Sequence, residues 1–248
     1  MNPRRRTILA TALLFCAAVF AQAPAVPHVQ AAKTGYYTQS APPDLSGILP
    51  PPPAQNSDTT KAELAQLHQI QQSRTPAQVA AAQDDDKHEN IFYLRSVMGR
   101  EFTPENLPLL ATLSDRMDGE GSAASAALKG EFKRPRPYQF DRTLHPVCET
   151  VAQPNSYPSG HSIVGDLDAF ILIRMVPEKS REILERADDY AHNRMVCGVH
   201  YPSDLAAGRE VAYVLFGYLM AQPRFQNDLA AARAETRKRL GLDESSAH

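Results

Sequence analysis

Twenty prolines, unevenly spread, set the frame for this chain. Proline has no backbone N–H and its ring clashes with the preceding helical turn, so helices must lie between the clusters. Leu49 followed by Pro50, Pro51, Pro52 and Pro53 forms an extended, polyproline-like stretch. Prolines 135, 137, 146, 154 and 158 enforce a second irregular stretch. That makes a loop of about twenty residues, and such loops in compact domains are functional or disordered.

Between these clusters the apolar residues recur at helical spacing. Asp58 or Thr59 caps a helix carrying Leu64, Leu67 and Ile70. Thr75-Pro76-Ala77-Gln78 is a capping box opening a helix with Ile91, Leu94, Val97 and Met98 on its core face. Asp84, Asp85 and Asp86 lack the glycine turn and ligand spacing of a calcium loop, so they read as a solvated helix face. Thr103-Pro104-Glu105 starts a helix that Gly119 and Gly121 interrupt, and Ser122 to Phe132 is helical again. Helix resumes after His161. Pro177 opens a charged helix towards Met195, and Ser203 caps one holding Leu205, Val211, Val214 and Leu215. A last helix, about Phe225 to Leu240, reads as a surface element. No convincing strand pattern or repeat occurs. The expectation is an all-α fold, a single helical-bundle domain over 58–248 behind a proline-rich arm over 24–57. Tyr36, Tyr37, Ile48 and Leu49 make that arm too apolar for a free tail.

The first 23 residues read as a signal peptide. Arg4, Arg5 and Arg6 precede an apolar run from Thr7 to Phe20 too short for a comfortable membrane span. Ala21-Gln22-Ala23 supplies the small residues of a cleavage site, with Ala31 as an alternative because Pro24 follows. The expected location is periplasmic or secreted. Cys16 leaves with the signal, and Cys148 and Cys197 remain as an even pair in an oxidising compartment. A disulfide is the economical reading; two separate buried thiols are the alternative. Arg209 and Glu210 argue against a span in the apolar helix after Ser203, so no membrane span is expected in the mature chain. A formal net charge of −2 gives no reason to expect nucleic-acid binding, so any anion site must come from local clustering.

Three stretches cluster in that way. Lys129 to Pro137 concentrates Lys129, Lys133, Arg134 and Arg136, and fixed guanidinium and ammonium groups suit phosphate. Pro158-Ser159-Gly160-His161 precedes a helix whose N–H groups and positive end suit an oxyanion. Asn193 to Asp204 carries Arg194 and His200, and Asp204 follows four residues later to hold the imidazole in one tautomer. Each alone has an ordinary reading: a solvated basic run, a simple helix cap, a structural histidine. A metal site on His200 and Asp204 lacks an evident third and fourth ligand.

Together the stretches resemble the three-part signature of the type 2 phosphatidic acid phosphatase superfamily, and specifically its bacterial class A non-specific acid phosphatases. That signature is Lys, six residues, Arg-Pro; Pro-Ser-Gly-His; and Ser-Arg, five residues, His, three residues, Asp. The matches are Lys129, Arg136, Pro137, Pro158, Ser159, Gly160, His161, Arg194, His200 and Asp204. The rival Arg134-Pro135 would need lysine at position 127, which is Ala127. The Leu49 to Pro53 run and Tyr157 also resemble class A members. Asn193 departs from the pattern's serine, and Asn155 and Ser162 are local departures.

The resemblance implies an acid phosphatase acting on small phosphate monoesters through a phosphohistidine. It implies His200 as nucleophile, Asp204 as its orienting carboxylate and His161 as general acid. Lys129, Arg136, Arg194, Ser159 and the Gly160 N–H would bind phosphate. It implies broad specificity, no metal or other cofactor, inhibition by vanadate, and frequent homo-oligomers. The rival readings are a vanadium-dependent haloperoxidase, a lipid phosphatase and a phosphate-binding protein without turnover. His145 and His192 stand as candidates to support the site from outside.

Overall fold

A computed structural model describes residues 35–38, 45 and 47–242. The signal peptide, its cleavage sites and most of the arm before residue 35 lie outside the described residues. So do the last residues of the 58–248 domain, from 243 onward.

The described chain is helical throughout, with no strand among the described residues. In order the helices are α1 (Asp58–Ser73), α2 (Pro76–Asp85), α3 (Arg95–Met98), α4 (Pro108–Phe132), α5 (Pro137–Phe140), α6 (Gly160–Met175), α7 (Ser180–Val196), α8 (Pro202–Met220) and α9 (Pro223–Leu240). Short 3₁₀ turns at Ile91–Leu94 and Pro177–Lys179 lead into α3 and α7. Most of these helices begin with proline at a first position, where its missing N–H costs nothing.

Helix α6 is the axis of the bundle. Twelve of its sixteen residues are buried, as expected of a helix apolar on every side. It packs against α8, α7 and α4, and α9 packs on α4 while also touching α6 and α8. Burial of Ile163, Leu167, Ile171, Leu172, Val211, Leu215, Leu110 and Leu113 supplies the core. At about 25 cal/mol per Å² of apolar surface, this seam is the main stabilising term.

Several expectations are corrected by packing. The helix opened by Thr75 stops at Asp85, because Asn90 caps a new turn and Asp85 and Asp86 turn towards cations. Ile91, Leu94 and Met98 still reach the core, from α3 and the turn before it. The helix expected from Thr103 begins instead at Pro108. It then runs unbroken through Gly119 and Gly121. Gly121 lies against α6, where a β-carbon would come 2.8 Å from Val164 Cγ2, so it serves close approach rather than interruption. Helix α8 is capped at Tyr201, with Asp204 reaching back, rather than by Ser203. Helix α9 buries Phe225, Leu229, Ala232 and Arg237 and is part of the core.

The described part of the arm is packed on the bundle. Glu120 accepts hydrogen bonds from the Tyr37 N–H at 2.5 Å and the Thr38 hydroxyl at 2.6 Å. The Tyr37 hydroxyl donates to Asp228 at 2.7 Å. Leu45 and Leu49 are buried, and Pro50 accepts from the Tyr157 hydroxyl at 2.9 Å. Ile48 faces outward.

Candidate active site

The site is built where α7 ends, α8 begins and α6 begins. Gly198, at φ +76°, turns the chain after α7 in a conformation that favours glycine. His200 follows, and Asp204 sits in the first turn of α8, where the helix's positive end favours a carboxylate. The Asp204 backbone carbonyl accepts from the Ser159 N–H at 3.0 Å, which joins the start of α8 to the start of α6.

Asp204 is saturated with donors. Its Oδ2 accepts from the Ser156 hydroxyl at 2.5 Å, the Tyr201 N–H at 2.9 Å and His200 Nδ1 at 3.2 Å. Its Oδ1 accepts from Arg134 Nη1 at 2.7 Å. Burial pushes its carboxyl up to about 6, against the pull of Arg134 and the other donors. The ionised carboxylate has no proton to give, so the His200 proton is on Nδ1 and Nε2 carries the lone pair. Arg136 Nη1 donates to that Nε2 at 3.1 Å. Burial and the charges of Arg136, Lys129, Arg194 and His161 hold His200 well below the usual imidazole range. The imidazole is therefore kept neutral, the form a nucleophile needs.

The remaining cations surround it. Arg136 is held by Asn155 Oδ1 at 3.0 Å and the Val199 carbonyl at 3.2 Å. A β-carbon on Gly160 would lie 3.5 Å from Lys129 Nζ, so that ammonium stands at the positive end of α6. Burial, then repulsion from Arg136, lowers Lys129 to about 8. Arg194, from the last turn of α7, pairs with Asp86 through Nη1, while its buried Nε has no hydrogen-bond partner. Ser159 is the α6 N-cap, its hydroxyl oxygen accepting from the Ser162 N–H at 3.3 Å. His161 has Nδ1 2.9 Å from Glu89 Oε1 and Nε2 3.4 Å from the Asp86 carbonyl oxygen, and its ring stacks on Tyr190.

The sequence-predicted residues thus lie in one neighbourhood. Cys148 and Cys197 are bonded, with Cα atoms 5.2 Å apart. Of the two supporting histidines, His145 meets Gln71 and Arg74 through its backbone and His192 lines a separate cavity. Asn193 donates to Asp85 at 2.7 Å.

Several residues of the site escaped the sequence reading. Arg134, set aside for its spacing, is buried and bridges Asp204 to Glu63, which it meets at 2.9 Å. Glu63 lies 71 residues away, so no local pattern announces it. Of the aspartate triplet only Asp84 is solvated. Asp85 is buried against Arg186 and Asn193, and Asp86 pairs with Arg194. Burial works against the Asp86 charge, but Arg194 and the Glu149 N–H hold its carboxyl below the usual range. Helical spacing offered a signal here: Asp86 stands four and seven residues after Ala82 and Val79, on their side of the helix.

Comparison with known proteins agrees with this geometry. The model of the PAP2 superfamily matches residues 119–228, which hold every residue of the three stretches. A non-specific acid phosphatase of Salmonella typhimurium is 33% identical over 78% of this chain and 80% of its own. One from Providencia stuartii is 28% identical over 91% of this chain and 96% of its own. An acid phosphatase of Zymomonas mobilis is 30% identical over 77% and 74% respectively. With a third of the aligned residues identical across most of both chains, and the histidine–aspartate pair set among three cations, the protein belongs to the PAP2 superfamily as a phosphatase of the class A non-specific acid phosphatase type.

Proposed function

We propose that the protein is an exported acid phosphatase that hydrolyses small phosphate monoesters by way of a phosphohistidine at His200. The observation that carries this reading is the orientation of His200. Nδ1 is held by a buried carboxylate, and Nε2, with its lone pair, faces Arg136.

Under this reading the phosphoryl group displaces the Nε2–Arg136 contact, and Lys129, Arg136 and the open Nε of Arg194 take its oxygens. Nε2 bonds to phosphorus as the ester P–O bond breaks. Asp204 stabilises the positive charge that forms on the imidazole. The leaving alkoxide takes a proton from His161. Water then gives a proton to His161 and attacks phosphorus, breaking the N–P bond and freeing inorganic phosphate. Little covalent chemistry is asked of the protein beyond this, because phosphoryl transfer is chiefly positioning and charge stabilisation. Each cation removed is expected to cost about 2.7–4 kcal/mol of barrier, by analogy with oxyanion donors. The reading includes broad specificity, independence of metal ions, vanadate inhibition and assembly into homo-oligomers.

Phosphate release by wild type and His200→Ala across a monoester panel tests it, with an alkaline quench to trap labelled phosphohistidine. A drop of roughly a thousandfold or more in the variant, with label only in wild type, is expected. Equal and negligible rates in both would sink the enzyme mechanism. Loss of activity with EDTA, restored by metal, would overturn its metal independence. Bromide oxidation in the presence of vanadate and peroxide, without phosphate release, would move the site to haloperoxidase chemistry.

A further inference from the structure

Two carboxylates that pair with site residues, Asp86 with Arg194 and Glu89 with His161, also line a depression of opposite charge to the cations. That depression, of about 720 Å³, is lined by Gln83, Asp86, Lys87, Glu89 and Glu149, beside Val147 and Cys148. Three carboxylates face one ammonium there. They are fixed to the site itself. Asp86 binds Arg194 through one oxygen, and its other oxygen accepts from the Glu149 N–H at 3.1 Å. Glu89 lies 2.9 Å from Nδ1 of His161, the proposed proton donor to the leaving oxygen. Under the phosphatase reading His161 protonates the leaving oxygen, which puts the alcohol part of a bound ester beside His161 and its partner Glu89. Arg194 keeps its buried Nε without a partner, open to one phosphoryl oxygen.

Resting on the phosphatase reading, we propose that Asp86, Glu89 and Glu149 select substrates by charge. The site takes monoesters whose alcohol part is neutral or cationic, such as an aminoalkyl phosphate. It disfavours esters whose alcohol part carries a carboxylate or a further phosphate. The physical ground is like-charge repulsion: the single phosphoryl dianion meets the three cations, whereas a second anion meets carboxylates at the mouth. Asp86 adds a second effect. It is an internal anion already on Arg194, so it competes with any anion that would bind there.

The test uses the full chain and three matched esters: propyl phosphate, 2-aminoethyl phosphate and 2-carboxyethyl phosphate. At low salt kcat/KM is expected to fall from the amino to the carboxy ester by on the order of tenfold, and the gap should shrink as salt screens the mouth. Glu149→Lys alters an exposed side chain that touches no reacting group, and it should reverse or flatten the order. Asp86→Asn should lower the inhibition constant for inorganic phosphate. Equal kcat/KM for the three esters at low salt, or an order unchanged by Glu149→Lys, would overturn the proposal while leaving the phosphatase reading intact. Absence of phosphate release from all three would sink that reading and the proposal together.

Discussion

Arg134 Nη1 donates to Asp204 Oδ1 at 2.7 Å, on the side of the carboxylate away from His200, and its Nη2 meets Glu63 Oε2 at 2.9 Å. All three side chains are buried, and the guanidinium also lies over the Tyr201 ring. One arginine thus compensates two buried carboxylates, one of which orients the histidine.

Replacing it should be costly. Arg134→Met leaves Asp204 and Glu63 without their cation, and breaking a buried pair costs about 3–5 kcal/mol. Urea unfolding should show that loss, and kcat should fall because Asp204 is drawn towards protonation. A stability within about 1 kcal/mol of wild type would mean that the carboxylates find other partners.

Lys129 gives a pH signature. Burial and Arg136 lower it to about 8, so the free enzyme loses this charge as pH rises through that value. The inhibition constant for inorganic phosphate is therefore expected to rise above about pH 8, where phosphate itself no longer changes charge. Lys129→Arg retains the charge and should remove this alkaline limb. A constant that stays flat in wild type from about pH 8 to about 9.5 would contradict the assignment.

The Cys148–Cys197 bond closes a separation of 49 residues between the proline-rich loop and the turn before His200. Chain entropy alone makes such a cross-link worth about 4 kcal/mol. Reduction should lower activity before the bundle melts, because Cys197 lies between Arg194 and His200. Assays and far-UV circular dichroism along a dithiothreitol series would follow the two events. Unchanged activity after confirmed reduction would remove this role from the pair.

Asn193, where the family resemblance has serine, donates to Asp85 at 2.7 Å. Asn193→Ala removes one donor from a buried carboxylate that Arg186 still holds, so a loss of about 1–3 kcal/mol is expected. Because Asp85 precedes Asp86, KM should change more than kcat. A steady-state comparison checks the split, and a fall in kcat alone would place Asn193 in the chemistry instead.

The order of the helices was legible because proline and capping residues mark their starts and apolar spacing marks their faces. Pro76 opens a helix as expected, while Pro202 and Pro223 open α8 and α9 close to the expected Ser203 and Phe225, and Ser159 caps the axial one. Misread boundaries share a cause. Gly119 and Gly121 carry low helix propensity, yet α4 runs through both, and at Gly121 close contact with α6 outweighs it, since propensity is a weak local preference. Charge composition misled in the same way at Asp85 and Asp86, though not at the exposed Asp84. A carboxylate looks solvated in sequence, and only its distant partner shows otherwise.

The sequence by itself determined the all-helical class and brought Lys129, Arg136, His161, Arg194, His200 and Asp204 to notice, because their types and spacings are local and chemically demanding. The tertiary structure alone decided what stabilises Asp204 from behind, what already occupies Arg194 and what charge surrounds the mouth. Arg134 with Glu63, and Asp86 with Arg194, join residues 71 and 108 apart in sequence. Whether such charges attract or merely face water depends on distance and burial. Both are properties of the packed chain rather than of any stretch of it.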